Sequence, residues 1–107
     1  MATRSETQRQ VLNLNETQAA VYFPMSDRVA FTVQGTLGSG SWGTAVVTLS
    51  RSNDGQNWYP LESATTLTAP SMTDQQDACF TTLRAQTTTV EGSAATANII
   101  VHTMRDA

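Results

Sequence analysis

Along this chain apolar and polar residues alternate in short runs, and no stretch repeats its apolar residues at the spacing of an amphipathic helix. Residues 28–34 show the pattern cleanly. Val29, Phe31 and Val33 fall on one face, and Ala30, Thr32 and Gln34 on the other, which is the period of two of a half-buried strand. Ala45, Val47 and Leu49 repeat it. In residues 95–104, Ala97, Ile99, Val101 and Thr103 alternate with Asn98, Ile100, His102 and Met104. Both faces are partly apolar there, so a central strand is predicted. Residues 19–23 form a further strand, stopped by Pro24. Residues 78–84 form another, with Cys79, Thr81 and Leu83 on one face, and residues 87–92 read as strand and turn.

The breaks between runs are as informative as the runs. Residues 35–43 hold four glycines and predict a loop at the top of a hairpin. Trp42 ends it, placed either to anchor the loop in the core or to face a partner; burial is the commoner use of so large an aromatic. Ser52-Asn53-Asp54-Gly55 separates two strand-forming runs, and Asp-Gly supplies the positive φ that tight turns need. After it, Trp58 and Tyr59 point to opposite faces, one toward the core and one outward. Pro60 cannot donate to a ladder, so its strand is an edge or ends there. Residues 62–77 are rich in Thr and Ser and read as a long connection crossing between sheets.

Seven or eight short strands, about ten residues apart with turn signals between them, predict an all-β protein: an antiparallel β-sandwich with jelly-roll or Ig-like Greek-key wiring. The polar residues 1–16 predict a flexible N-terminal arm before a single sandwich domain at 17–107. Val11, Leu12 and Leu14 could pair as an edge strand or dock on a neighbour.

Composition narrows the function. The chain has 107 residues, one domain's worth, with 18 Thr and no Lys. A net charge of −3 argues against a nucleic-acid groove or docking on anionic lipid, both of which need clustered positive charge. A lone cysteine, Cys79, excludes an intrachain disulfide and a multi-thiolate zinc site, and reads as a small buried hydrophobe. No run approaches a membrane span, and residues 1–6 lack the apolar core of a secretory signal, so synthesis in a reducing cytoplasm is expected.

No catalytic constellation emerges. His102 is the only histidine and has no nucleophile beside it in sequence. Asp54, Glu62, Asp74, Asp77 and Glu91 lie in or beside loops and read as solvated acids. Asp74 and Asp77 lack the dense spacing of a calcium loop. The Gly-rich segment has no Lys and no following helix, so it is no phosphate cradle. Catalytic residues, cofactor and metal are therefore all expected to be absent.

Ser52-Asn53-Asp54-Gly55-Gln56-Asn57-Trp58 resembles two known hairpins. Against the Asp-box of β-propellers it is one residue short and occurs once, so that match fails. The Ser-x-Asp-Gly-x-x-Trp hairpin of discoidin-like jelly rolls and of small bacteriophage virion proteins fits. The wider layout of residues 27–103 also resembles small tailed-phage structural proteins. It comprises Val29-Ala-Phe-Thr-Val-Gln-Gly-Thr, a Gly/Ser loop ending in Trp42-Gly-Thr, the Asp54 hairpin, and the closing Ala-Asn-Ile-Ile-Val strand. The resemblance implies a virion structural protein, specifically a capsid decoration (cement) protein on the head exterior. Its partners would be the major capsid protein lattice and its own copies, as a homo-oligomer such as a trimer. Val11, Leu12, Leu14, Trp42 and Tyr59 are the candidate partner contacts. A carbohydrate-binding or adhesion module of discoidin-like type, with Trp42 and Tyr59 as its aromatic platform, is the alternative, and a tail or head–tail component is another.

Overall fold

The computed structural model describes residues 3–61 and 65–106. Ten strands and no helix make up the described chain. They are β1 (Thr3–Asn13), β2 (Ala20–Pro24), β3 (Ala30–Ser39), β4 (Val46–Ser52), β5 (Tyr59–Pro60), β6 (Thr66–Leu67), β7 (Ser71–Met72), β8 (Gln76–Asp77), β9 (Thr82–Thr89) and β10 (Thr96–Asp106). One sheet runs β1-β10-β3, with β7 and β8 end to end along the far edge of β3. The other runs β2-β9-β4, with β5 and β6 along the far edge of β4. All pairings are antiparallel.

The strand order decides the wiring. If each pair of two-residue strands counts as one position, the sandwich has eight positions. The first four long strands alternate between the sheets, and so do the last two. In an Ig-like sandwich the first two strands would lie in one sheet; here β1 and β2 face each other across the core, which is jelly-roll wiring.

The alternating runs close this sandwich as expected. Ala45, Val47 and Leu49 of the β4 segment are buried, as are Ala97, Ile99 and Val101 of β10, which is central in its sheet. With Phe23, Phe31, Val33, Leu83 and Ala85 they form one core. Burying a side chain of this size contributes roughly 1.5–3 kcal/mol. Threonine hydroxyls satisfy backbone groups where strands end or cross. Thr87 is fully buried and donates to the Asn13 carbonyl at 2.7 Å, and Thr73 accepts from the Val33 N–H at 3.0 Å.

Several expectations are corrected. The segment expected as a flexible arm is β1, paired residue for residue with β10 from Thr3 to Asn13, and Leu12 and Leu14 are core residues. Residues 1 and 2 of that segment lie outside the described residues. The expected loop at 35–43 begins too early, because β3 runs on to Ser39. Gly35 is buried, and a Cβ there would come within 3.0 Å of the Trp42 ring and 3.1 Å of Leu67. Its glycine lets the indole lie against the strand, so it marks a close approach rather than a turn. Strand β9 starts at Thr82, four residues late, and absorbs the expected strand at 87–92. Cys79 therefore falls in the preceding loop and is exposed, while Ala78 and Phe80 fill the core beside it. Val29, ahead of β3, is also exposed. Of the long connection at 62–77, residues 62–64 lie outside the described residues, Glu62 among them; the rest contributes β6, β7 and β8.

Candidate interaction surfaces

The Asp54 hairpin is built on one carboxylate and one hydroxyl. Ser52 Oγ accepts from the N–H groups of Asp54 and Gly55 and donates to Asp54 Oδ1 at 3.0 Å. Asp54 Oδ1 accepts the N–H groups of Asn57 (2.8 Å) and Gln56 (2.9 Å), and Oδ2 accepts from Asn57 Nδ2 at 2.7 Å. These donors, led by the Asn57 and Gln56 backbone, hold the carboxyl well below the usual carboxylate range despite full exposure. Gly55 takes φ +75°, as the Asp-Gly signal requires. The carboxylate's bonds are all internal to the loop, so it organises the turn and presents no open ligand site.

This turn delivers Trp58 to the outer face of the β2-β9-β4 sheet, not to the core. Its ring lies 4.5 Å under the Arg84 guanidinium carbon and 5.7 Å from the Tyr22 ring. A cation over an indole face is worth about 0.5–1 kcal/mol at such a site. Arg84 Nε is buried without a hydrogen-bond partner. Neither Trp58 nor Tyr59 fills the core: Trp58 is half-buried, and Tyr59 is 62% exposed. Tyr59 edges a shallow concavity of about 440 Å³ with Arg51, Asp54, Asn57, Cys79 and Phe80 at one end of the sandwich.

The five candidate contacts are therefore not brought together. Leu12, Leu14 and Trp42 are buried at 5% exposure or less, and Trp42 anchors its loop by donating from Nε1 to the Ala45 carbonyl at 3.0 Å. Val11 and Tyr59 are exposed, on different sheets. The exposed aromatic missed by the sequence reading is Tyr22. It shares the outward face of β2 with Ala20 and Pro24, whose apolar side chains give no polar signal for that face, and nothing local pairs it with Trp58.

His102 is exposed on β10, and its Nδ1 lies 2.9 Å from Thr7 Oγ1 on β1. The described ion pair joins Arg28 to Glu6 at 2.9 Å and ties the β2–β3 loop to β1. Among the described residues no three His, Cys, Asp or Glu side chains cluster to hold a metal ion. No described helix is long and apolar enough to cross a membrane.

No protein-family model matches the chain, and no curated protein matches it in sequence. Its fold is shared with chains already solved. A chain of the acidic stable capsid of Helicobacter pylori bacteriophage KHP30 superposes with a TM-score of 0.58 at 9% identity, over 96% of this chain and 93% of that one. The SPBc2 prophage-derived protein YomS gives 0.57 at 11% identity, over 90% and 95%. A chain of Bacillus endospore appendages, a family of disulfide-linked pili, gives 0.51 at 9% identity, over 98% and 90%. This protein is thus a jelly-roll sandwich in fold, and the solved chains it resembles include one from a phage capsid, a prophage-derived protein and one from a pilus.

Proposed function

We propose that the protein is a bacteriophage virion structural protein that decorates the outside of the assembled head, binds the capsid lattice and stabilises it. The observation that carries the reading is the end-to-end match to a capsid chain: nearly all of both chains superpose. The surface agrees with it. A Thr-rich, mildly acidic sandwich with one long open strand edge, β1, suits contacts with neighbouring subunits by strand addition. The test is gold labelling of virions from the phage that encodes the chain. Label over heads supports decoration, label confined to tails makes the protein a tail component, and unlabelled particles refute both.

One observation favours a second reading. Exposed Tyr22 and half-buried Trp58 form an aromatic pair on the outer face of the sheet beside Arg84, the kind of surface on which sugar rings stack. Glycan binding that vanishes in Trp58→Ala, in a protein absent from virions, would favour a carbohydrate-binding module.

A further inference from the structure

Sheet edges expose unpaired N–H and C=O groups, and proteins blunt them with prolines, bulges, charged side chains or short strands. Among the described strands, three of the four sheet edges are blunted. Strand β2 has five residues and ends at Pro24, β5 has two and includes Pro60, and β6, β7 and β8 have two each. Strand β1 is different. It has 11 residues with no Pro or Gly, pairs with β10 without a bulge and ends the strand order of its sheet; its charges are Arg4, Arg9 and Glu6, the last neutralised by Arg28. Its inner side is braced by the Glu6–Arg28 ion pair and by Gln8 reaching the Pro24 carbonyl; its outer side is braced by Thr7 against His102. The edge is held in continuous register and left open.

We infer that β1 pairs edge to edge with β1 of a second copy, antiparallel about a two-fold axis, joining two sheets into one. Length selects the occupant: among the described strand edges, only another β1 matches an 11-residue edge. Charge selects the register. A two-fold axis perpendicular to the sheet keeps outer faces together, so odd-numbered residues meet odd ones and even meet even. Centred on Thr7, Arg9 faces Ser5, Glu6 faces Gln8 and Arg4 faces Gln10. Centred on Gln8, Arg9 faces Thr7, Glu6 faces Gln10 and Arg4 faces Leu12. Neither puts like charges opposite each other, whereas centring on Glu6 or Arg9 does, which is unfavourable. An isologous contact of this kind closes at two copies.

Light scattering under reducing conditions tests it. The full chain is expected at twice its 11.5 kDa. Thr7→Lys sets its ammonium against itself in the first register and against Arg9 in the second, so the dimer should weaken about tenfold. Thr7→Val also loses the His102 contact but adds no charge, and should dimerise like wild type. Circular dichroism checks that each variant is folded. Independently, in a Cys79→Ser background, Thr7→Cys or Gln8→Cys should cross-link on mild oxidation, and whichever does reports the register. A monomer at all concentrations, a trimer or a filament overturns the inference. So does a Thr7→Lys dimer as tight as wild type, or failure of both cysteines to cross-link. The inference stands apart from the decoration reading: a dimer on unlabelled virions removes only that reading, and labelled heads with a monomer remove only this one.

Discussion

The two long sides of this sandwich are built in opposite ways. On one side β1 and β2 are continuous strands, and β1 matches β10 over its whole length. On the other side four two-residue strands, β5 to β8, are stitched to β4 and β3 by two residue pairs each. The continuous side is a ladder whose strength is backbone pairing. The broken side relies on side chains wedged under short strands: Leu61, Leu67, Thr73 and Trp42. A ladder cannot sink into a void, whereas loops between two-residue strands can. The two sides should therefore respond differently to the same chemical insult.

The largest expected effect is on the ladder. Leu12→Ala should cost about 4 kcal/mol in urea unfolding, near the top of the range for buried leucines, because β1 is held in register and the cavity stays open. Leu67→Ala makes the same deletion on the broken side and should cost about 2 kcal/mol, since β6 can collapse inward. Equal costs would break the comparison. Gly35→Val would push a side chain into Trp42 and Leu67 and should cost about 1–3 kcal/mol by overpacking, with the indole fluorescence shifting as the ring is displaced.

Smaller effects test how the sides communicate. Arg84 on β9 lies between Tyr22 of the continuous side and Trp58 of the broken one. Arg84→Met removes the cation over the ring but also a buried Nε without a partner, so the net loss should stay below about 1 kcal/mol. A larger loss in thermal unfolding would mean that the two sides are coupled through this contact. The smallest effect is Asp54→Asn, visible as a pH dependence. The folded carboxyl titrates below its unfolded value, so its contribution is complete above about pH 4 and is lost as pH falls through the folded value. The gap in melting temperature between wild type and Asp54→Asn should therefore be widest near neutrality and narrow in strong acid. A gap independent of pH would remove the charge from the explanation.

How legible the molecule was in its sequence follows the same division. Strands β4 and β10 declare themselves because every second side chain enters the core, and Asp54-Gly55 declares its turn because few other pairs supply that backbone. Strand β1 hides. Its inward positions Glu6, Gln8 and Gln10 lie at the margin of the sandwich, where Glu6 and Gln8 bridge to Arg28 and Pro24 instead of filling the core, so no apolar alternation appears until Leu12. Gly35 misled for the opposite reason: glycine in a strand and glycine in a loop are the same letter, and only the Trp42 ring across from it tells them apart. The pairing of Tyr22 with Trp58 depends on sheet order, which spacing along the chain does not encode.

The exposed thiol sets a limit on assembly that no edge or patch sets. The 107 residues hold one cysteine, at the surface, so with respect to disulfide chemistry each copy has a valence of one. Oxidation can join two copies through Cys79 and must stop there, since a linear covalent polymer needs at least two linkable sulfurs per copy. However closely its fold follows the disulfide-linked pilus chain, this sequence can make a covalent pair through its own thiols, but never a covalent fibre.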